Sequence, residues 1–463
     1  MSLQTISYQI PGHTTYEYRL EVPLRYQRGD GLYGKLTTAA APAIPPVERS
    51  ETITIFAREI VRAGNETAPR VVYFQGGPGS PAPRPAPLSG FVGQLAEQFR
   101  VVLLDERGTG QSHALDQHTV TAVGDVEQQA DYLSYFRADS MVADAELLRQ
   151  ELQGDEPWYA LGQSFGGFCI TTYLSQAPQG LRGAMITAGL PSLTRHADEV
   201  YQRTYRQTEL RNQEFFARYP DDEEVCWQIV QHLADEPSEL LPTGEALTPG
   251  RFRMLGISLG TSYGFEKLHQ LLENPFVTVA GRRLLSSRFR GAVGNELSYW
   301  DIPMYFALHE SIYAQRSTGA TNWSAHRIRD EFPSMRLPEL SADAERELRA
   351  EGHGFRFTGE HIFPWQGEQD PALRPLLPAV DALAKRADLP NLHDPAVLAE
   401  NEVPVAAWIY QPDMFVPAEL SEETAAQIRG AVVLRSAHYH HDALRTKGNI
   451  VVPALFAALG VAQ

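Results

Sequence analysis

Cysteine is nearly absent: the 463 residues contain two, Cys169 and Cys226. Two cannot build a disulfide framework, and no Cys-x-x-Cys pair exists for zinc or thiol redox work. Nor is there any run near the ~18 uninterrupted apolar residues that a membrane span requires. The start, Met1-Ser-Leu-Gln-Thr-Ile-Ser, has neither the basic residues nor the apolar stretch of a secretory signal. Positive charge is in deficit, with 40 Lys+Arg against 57 Asp+Glu and a net charge of −17. Such a surface repels nucleic acid and anionic membranes at long range. These absences predict a soluble, cytoplasmic protein with no nucleic-acid or membrane partner and no metal or other cofactor. What is present is ordinary globular usage: 43% hydrophobic and 21% charged residues exclude a disordered chain. A chain of this length buries a sizeable core unaided.

Two segments, Ala39–Pro46 and the proline-rich run from Pro78 to Pro87, read as loops, because clustered prolines remove backbone donors. Around them, short β-rich runs end in glycine-rich turns and are followed by helical stretches. Arg70–Phe74 runs into Gln-Gly-Gly-Pro-Gly, Phe99–Leu104 into Asp-Glu-Arg-Gly-Thr-Gly, and Trp158–Leu161 into Gly-Gln-Ser-Phe-Gly-Gly before a helix over Phe168–Ala177. Arg182–Ala188 is a further strand. Continuous apolar strands alternating with helices predict a parallel sheet covered on both faces. From Leu190 to Asn401 the texture changes to charged, aromatic-rich helical segments such as Glu199–Tyr219 and Asp343–Glu351. The strand pattern returns at Val403–Tyr410 and Gly430–Arg435, and an apolar helix over Ile450–Val461 closes the chain. We therefore expect a core in two parts, 1–190 and 402–463, interrupted by a mainly helical cap, 191–401.

Gly162-Gln-Ser-Phe-Gly166 fits Gly-x-Ser-x-Gly. The motif alone is weak, but this one lies between a strand and a helix, where a sharp turn lifts the serine oxygen above the sheet. Side chains in place of the glycines would clash there. Upstream, Gln75–Gly79 follows another strand. The amides of Gly77 and Phe165 can together form an oxyanion hole. A phosphate loop is excluded because no Lys-Ser/Thr follows and prolines remove donors. The chain order Ser…Asp…His then needs an acid after a late strand and a histidine after the last. Asp413, in Tyr410-Gln-Pro-Asp-Met-Phe-Val-Pro, occupies the first slot. His438, His440 and His441 all stand at the second, and spacing does not choose among them. Asp105 and Arg107 at their strand exit read as pins of the turn, and Cys169 as a packing thiol.

Ser164 within GQSFGGF, the loop FQGGPGSP, the turn LLDERGTGQS and the segments IYQPDMFVP and YHHDALRTKG together resemble the longer branch of the prolyl aminopeptidases (proline iminopeptidases). The resemblance spans the core segments and is patchy in the cap. It implies an α/β-hydrolase fold with a mostly parallel sheet and a large inserted cap. It also implies that His441, which directly precedes Asp-Ala-Leu-Arg, is the base. Gln75 departs from the histidine commoner before Gly-Gly-Pro-Gly, which leaves the amide donors intact.

The implied activity is removal of an N-terminal residue, often proline, from a short peptide with a free amino terminus, through an acyl-enzyme on Ser164. A cap carboxylate must then hold the α-ammonium. Glu310, in His-Glu-Ser-Ile-Tyr, and Glu360, in Thr-Gly-Glu-His-Ile-Phe-Pro-Trp, are the expected substrate-binding residues. Tyr299, Trp300, Tyr305, Tyr313, Trp323, Phe363 and Trp365 are available to line a pocket, most of them as cap core. The competing readings are an esterase or amidase with the same triad acting on a small acyl substrate and a ligand-binding protein without turnover. An unperturbed histidine base predicts that activity falls below about pH 6.

Overall fold

The structure, a computed structural model, describes residues 3–26, 51–85, 87–236, 239–335 and 342–461. The loop expected at Ala39–Pro46 lies outside the described residues. Among the described residues nine strands form one sheet: β1 (Gln4–Ile10), β2 (His13–Pro23), β3 (Thr52–Arg62), β4 (Arg70–Phe74), β5 (Arg100–Asp105), β6 (Trp158–Gln163), β7 (Leu181–Thr187), β10 (Val405–Tyr410) and β11 (Ala431–Ser436). Their order is β1-β2-β3-β5-β4-β6-β7-β10-β11. The pairings through β1, β2, β3 and β5 are antiparallel, and those from β5 to β11 are parallel. The six parallel strands are those legible from their apolar runs. The three N-terminal strands were not anticipated: β1 is exposed along nearly its whole length and β2 alternates buried with half-buried residues. That half-solvated pattern lacks the continuous apolar signal of a buried strand.

Helices cover both faces of the sheet. Gly90–Leu95 and Gly448–Leu459 pack on one side, burying Phe91, Leu95, Val451, Leu455 and Phe456 against Val71, Leu103 and Met185. On the other side, Ala138–Gln153 and Phe165–Gln176 belong to a core that continues without a break to Phe215, Phe252, Phe355 and Phe357. Those phenylalanines lie between β7 and β10. This stretch holds helices Ala197–Arg218, Pro220–Asp235, Ser287–Leu297 and Leu377–Ala384, with one hairpin, β8 (Phe276–Val279) and β9 (Arg282–Leu285). Helix Leu377–Ala384 lies against core helix Val126–Ser134. Shared apolar burial, rather than chain connectivity alone, therefore holds the insertion on the sheet.

The Asp105–Gly110 turn shows how strand exits are pinned. Arg107 is fully buried and meets Asp144 with two hydrogen bonds of 2.6 and 2.7 Å. It also donates to the carbonyls of Pro23, Leu24 and Tyr135. A planar guanidinium can satisfy a carboxylate and three carbonyls at once, which a lysine cannot. Asp105 accepts the N–H groups of Ala82 and Gln111 and pairs with Arg84. Both side chains serve the turn. Among the described residues no helix is long and apolar enough to cross a membrane.

Candidate active site

Strand β6 ends at Gln163 and the next helix begins at Phe165, so Ser164 alone makes the turn, at φ 57° and ψ −127°. A non-glycine residue in that region is strained and persists only where its surroundings hold it. They do so here by close approach. A side chain on Gly162 would strike the Gly166 carbonyl, and one on Gly166 the Phe74 carbonyl. The Ser164 N–H is retained by the carbonyl of Thr187 at 3.2 Å. The side chain is nearly closed off from solvent, at 7% exposure.

The Gln75–Gly79 turn lies directly against this serine: a Cβ on Gly76 would sit 3.0 Å from Ser164 Cβ. Gly77 has φ 141°, a conformation that a side chain would strain. The turn is anchored from below by Glu106, whose carboxyl accepts the Gln75 N–H at 2.6 Å. Burial raises the Glu106 pKa well above the usual carboxylate range. Phe165, the first residue of its helix, has an N–H without an intrahelical acceptor. Both predicted oxyanion donors thus belong to backbone flanking the serine.

Of the three late histidines, His441 meets the acid. Its Nδ1 lies 2.7 Å from Asp413 Oδ2, and both side chains are buried. His438 is exposed. Asp413 is fixed in turn, because its Oδ1 accepts the N–H groups of Phe415 and Val416 at 2.9 and 3.0 Å. Phe415 packs edge-on against the His441 ring, 4.7 Å between centroids. On the core side, the Gln163 side-chain amide donates to the His441 carbonyl at 3.1 Å. The residue before the nucleophile therefore fastens the loop that carries the base. Burial alone would lower the His441 pKa, but the Asp413 carboxylate, with Glu360 adding to it, raises it above the usual histidine value.

The two cap carboxylates have different surroundings. Glu360 interacts with His441, accepts the Tyr305 hydroxyl at 2.5 Å and lies 3.5 Å from His309 Nε2. Burial opposes its ionisation, yet His309, His441 and Tyr305 together hold its pKa below the usual value. Glu310 instead spends both oxygens on the N-terminus of helix Ser324–Ile328, accepting the N–H groups of Ala325 and Ser324 at 2.8 and 3.1 Å. Its carboxyl is buried and its pKa raised, chiefly by burial. Both charges are nonetheless felt by the phenols of Tyr201 and Tyr313. Tyr299 stacks on Tyr305, and the two line a cavity of about 110 Å³ with Glu360, His361 and Ile302. Trp300 is exposed, while Trp323 donates to Asp381 and Phe363 stacks on Trp365.

A family model for the alpha/beta hydrolase fold matches residues 69–272. A proline iminopeptidase from Aeromonas sobria is 40% identical over 407 residues, covering 88% of this chain and 91% of its own. The chain belongs to the proline iminopeptidase family. A second member, from Aspergillus aculeatus, is 31% identical and covers 98% of this chain and 96% of its own. Among solved structures, a 2-hydroxy-6-oxo-6-phenylhexa-2,4-dienoate hydrolase from Rhodococcus aligns over 88% of this chain and 95% of its own, at 15% identity and a TM-score of 0.40.

Within this candidate site, several neighbours carry no signal in the sequence. Gln163 stands at a variable position of the motif; its side chain donates to the His441 carbonyl and accepts Arg445 at 3.4 Å. His361, next to Glu360, stacks on Tyr205 at 3.9 Å, and its Nδ1 accepts the Gly359 N–H. Burial lowers its pKa to about 3, so this ring is neutral and braces the turn that presents Glu360. Sequence periodicity carries no signal for the Gln163–His441 and Tyr205–His361 contacts, which join segments more than a hundred residues apart.

Proposed function

We propose that the protein is a serine aminopeptidase that releases N-terminal proline from short peptides in the cytoplasm. The observation that carries the reading is the Asp413–His441 pair on a loop held by Gln163, the residue before Ser164, with the charge of Glu360 acting on the same imidazole. In this reading His441 takes the Ser164 proton as the oxygen attacks the carbonyl of the first residue. Asp413 holds the imidazole and offsets its charge. The N–H groups of Gly77 and Phe165 receive the oxyanion, worth roughly 3–4 kcal/mol for each donor. His441 then passes the proton to the leaving amine, and water repeats the sequence on the acyl-enzyme.

Glu360 receives the substrate ammonium, with the Tyr305 hydroxyl orienting its carboxylate. Glu310 sits behind it, bracing the Ser324 turn and adding negative potential at Tyr201 and Tyr313. We take residues 191–401 as the cap that limits the substrate to short peptides with a free amino terminus. The test is a pair of proline p-nitroanilides, one with a free and one with an acetylated amine. Cleavage of the free-amine substrate alone, abolished by Ser164→Ala, is expected. Hydrolysis of short acyl esters with no release from any free-amine substrate would overturn the proposal.

A further inference from the structure

The loops that carry the acid and the base are held from the cap as well as from the core. Asp442 directly follows His441, and its Oδ1 accepts both the N–H and the hydroxyl of Ser262, at 2.9 and 2.6 Å. Ser262 Oγ also lies 3.2 Å from Thr446 Oγ1, on the short helix that follows the histidine. Two residues before Ser262, Gly260 faces the Phe415 ring so closely that a side chain there would collide with it. Phe415 is the residue that donates its N–H to Asp413 and packs on His441. The same cap turn is tied back into its own domain, since the Leu259 carbonyl accepts Arg211 Nε at 3.0 Å from helix Ala197–Arg218. Arg211 is itself seated over the Phe265 ring.

One four-residue stretch, 259–262, therefore touches the loop of the acid and the loop of the base at once. On the opposite side of the base loop, Gln163 holds the His441 carbonyl. We propose that Ser262 and Asp442 are positioning residues: the cap clasps the base loop through them, so that His441 is in register only while the cap is seated. A hydroxyl and an amide converging on one carboxylate oxygen form a charge-assisted, directional pair. Losing it frees one side of a loop on which about 1 Å of displacement can cost on the order of a hundredfold in rate. The inference rests on the proposed triad, not on the identity of the substrate.

The experiment uses the full chain with Ser262→Ala, Asp442→Ala, Asp442→Asn and the double alanine variant. Two rates are read: turnover of proline p-nitroanilide and labelling of Ser164 by a fluorophosphonate, which does not depend on aminopeptidase specificity. Asp442→Ala is expected to lower kcat and the labelling rate together by about 10- to 100-fold with KM little changed. Ser262→Ala, which keeps the backbone donor, loses less. The double variant loses little more than Asp442→Ala, because both donors of Ser262 end on that side chain and only its contact with Thr446 is left to lose. Asp442→Asn recovers most of the loss, since its amide oxygen still accepts both. Should Asp442→Ala label Ser164 within twofold of the native rate, the clasp is refuted. It is equally refuted if Asp442→Asn is as impaired as Asp442→Ala, or if the loss falls in KM alone. Failure of the anilide assay with intact labelling differences would instead count against the substrate and leave the clasp standing.

Discussion

Asp413→Asn tests the triad most sharply, because the structure dictates which way the new amide points. Asp413 Oδ1 accepts two backbone N–H groups, from Phe415 and Val416. In the asparagine variant that oxygen must remain the amide oxygen, or two donors would face an NH2 group. The NH2 is then left facing His441 Nδ1, 2.7 Å away in the native site. An NH2 there donates, so Nδ1 must accept and the proton moves to Nε2. A ring protonated on Nε2 cannot take the proton of Ser164. The same replacement in a serine protease triad costs about four orders of magnitude in kcat, or about 5.4 kcal/mol at 1.36 kcal/mol per decade. We expect a loss of about that size in kcat for proline p-nitroanilide at pH 8, with KM changed less than threefold and an unchanged far-UV circular dichroism spectrum. A loss of less than about tenfold would refute the orientation argument, because it would mean that His441 keeps the correct tautomer without a carboxylate.

The acid limb of kcat/KM should lie above the ordinary histidine value of about 6.5, since Asp413 and Glu360 raise His441; Glu360→Gln should move it to lower pH and raise KM for free-amine substrates, and an unmoved limb would contradict the coupling. Gly77→Ala, at φ 141°, should displace its oxyanion N–H and lower kcat by about 10²–10³-fold; wild-type kcat would exclude that donor. Glu106→Gln keeps the acceptor for the Gln75 N–H but removes a titration. Burial raises the folded-state pKa of Glu106, so its contribution to stability is complete below the unfolded value near 4.5 and is lost as pH rises through the folded value. The Tm advantage of the glutamine variant should therefore grow from pH 4 upward, and a pH-independent difference would contradict it.

The reading of the pH limb marks where composition and motif stop. From residue type alone, His441 is an ordinary histidine and the limb falls near pH 6. Only folding sets Asp413, 28 residues away in the chain, against the ring and brings the charge of Glu360, 81 residues away, to bear on it. Glu310 and Glu360 illustrate the same limit. Each is a carboxylate in an aromatic cap segment, and nothing local separates them. Tertiary structure gives one to the backbone at a helix N-terminus and places the other beside Tyr305 and His309, where its charge acts on the base.

What the sequence determined by itself was local in origin. Five of the six parallel strands were legible because burial on both faces demands unbroken apolar runs; β11, at the edge, carries an apolar run while only half-buried. The Ser164 turn was legible because its sterics admit only glycine at the flanking sites, and those glycines are written into five consecutive positions. The exposed strand β1 left no comparable trace, as a solvated strand accepts many residue types. Spacing left three histidines open and the family resemblance singled out His441, but its pairing with Asp413, the grip of Gln163 on the base loop and the Ser262–Asp442 clasp all waited for the fold. Each is a contact between groups far apart in the chain, and its energy exists only after packing has paid the entropy of bringing them together.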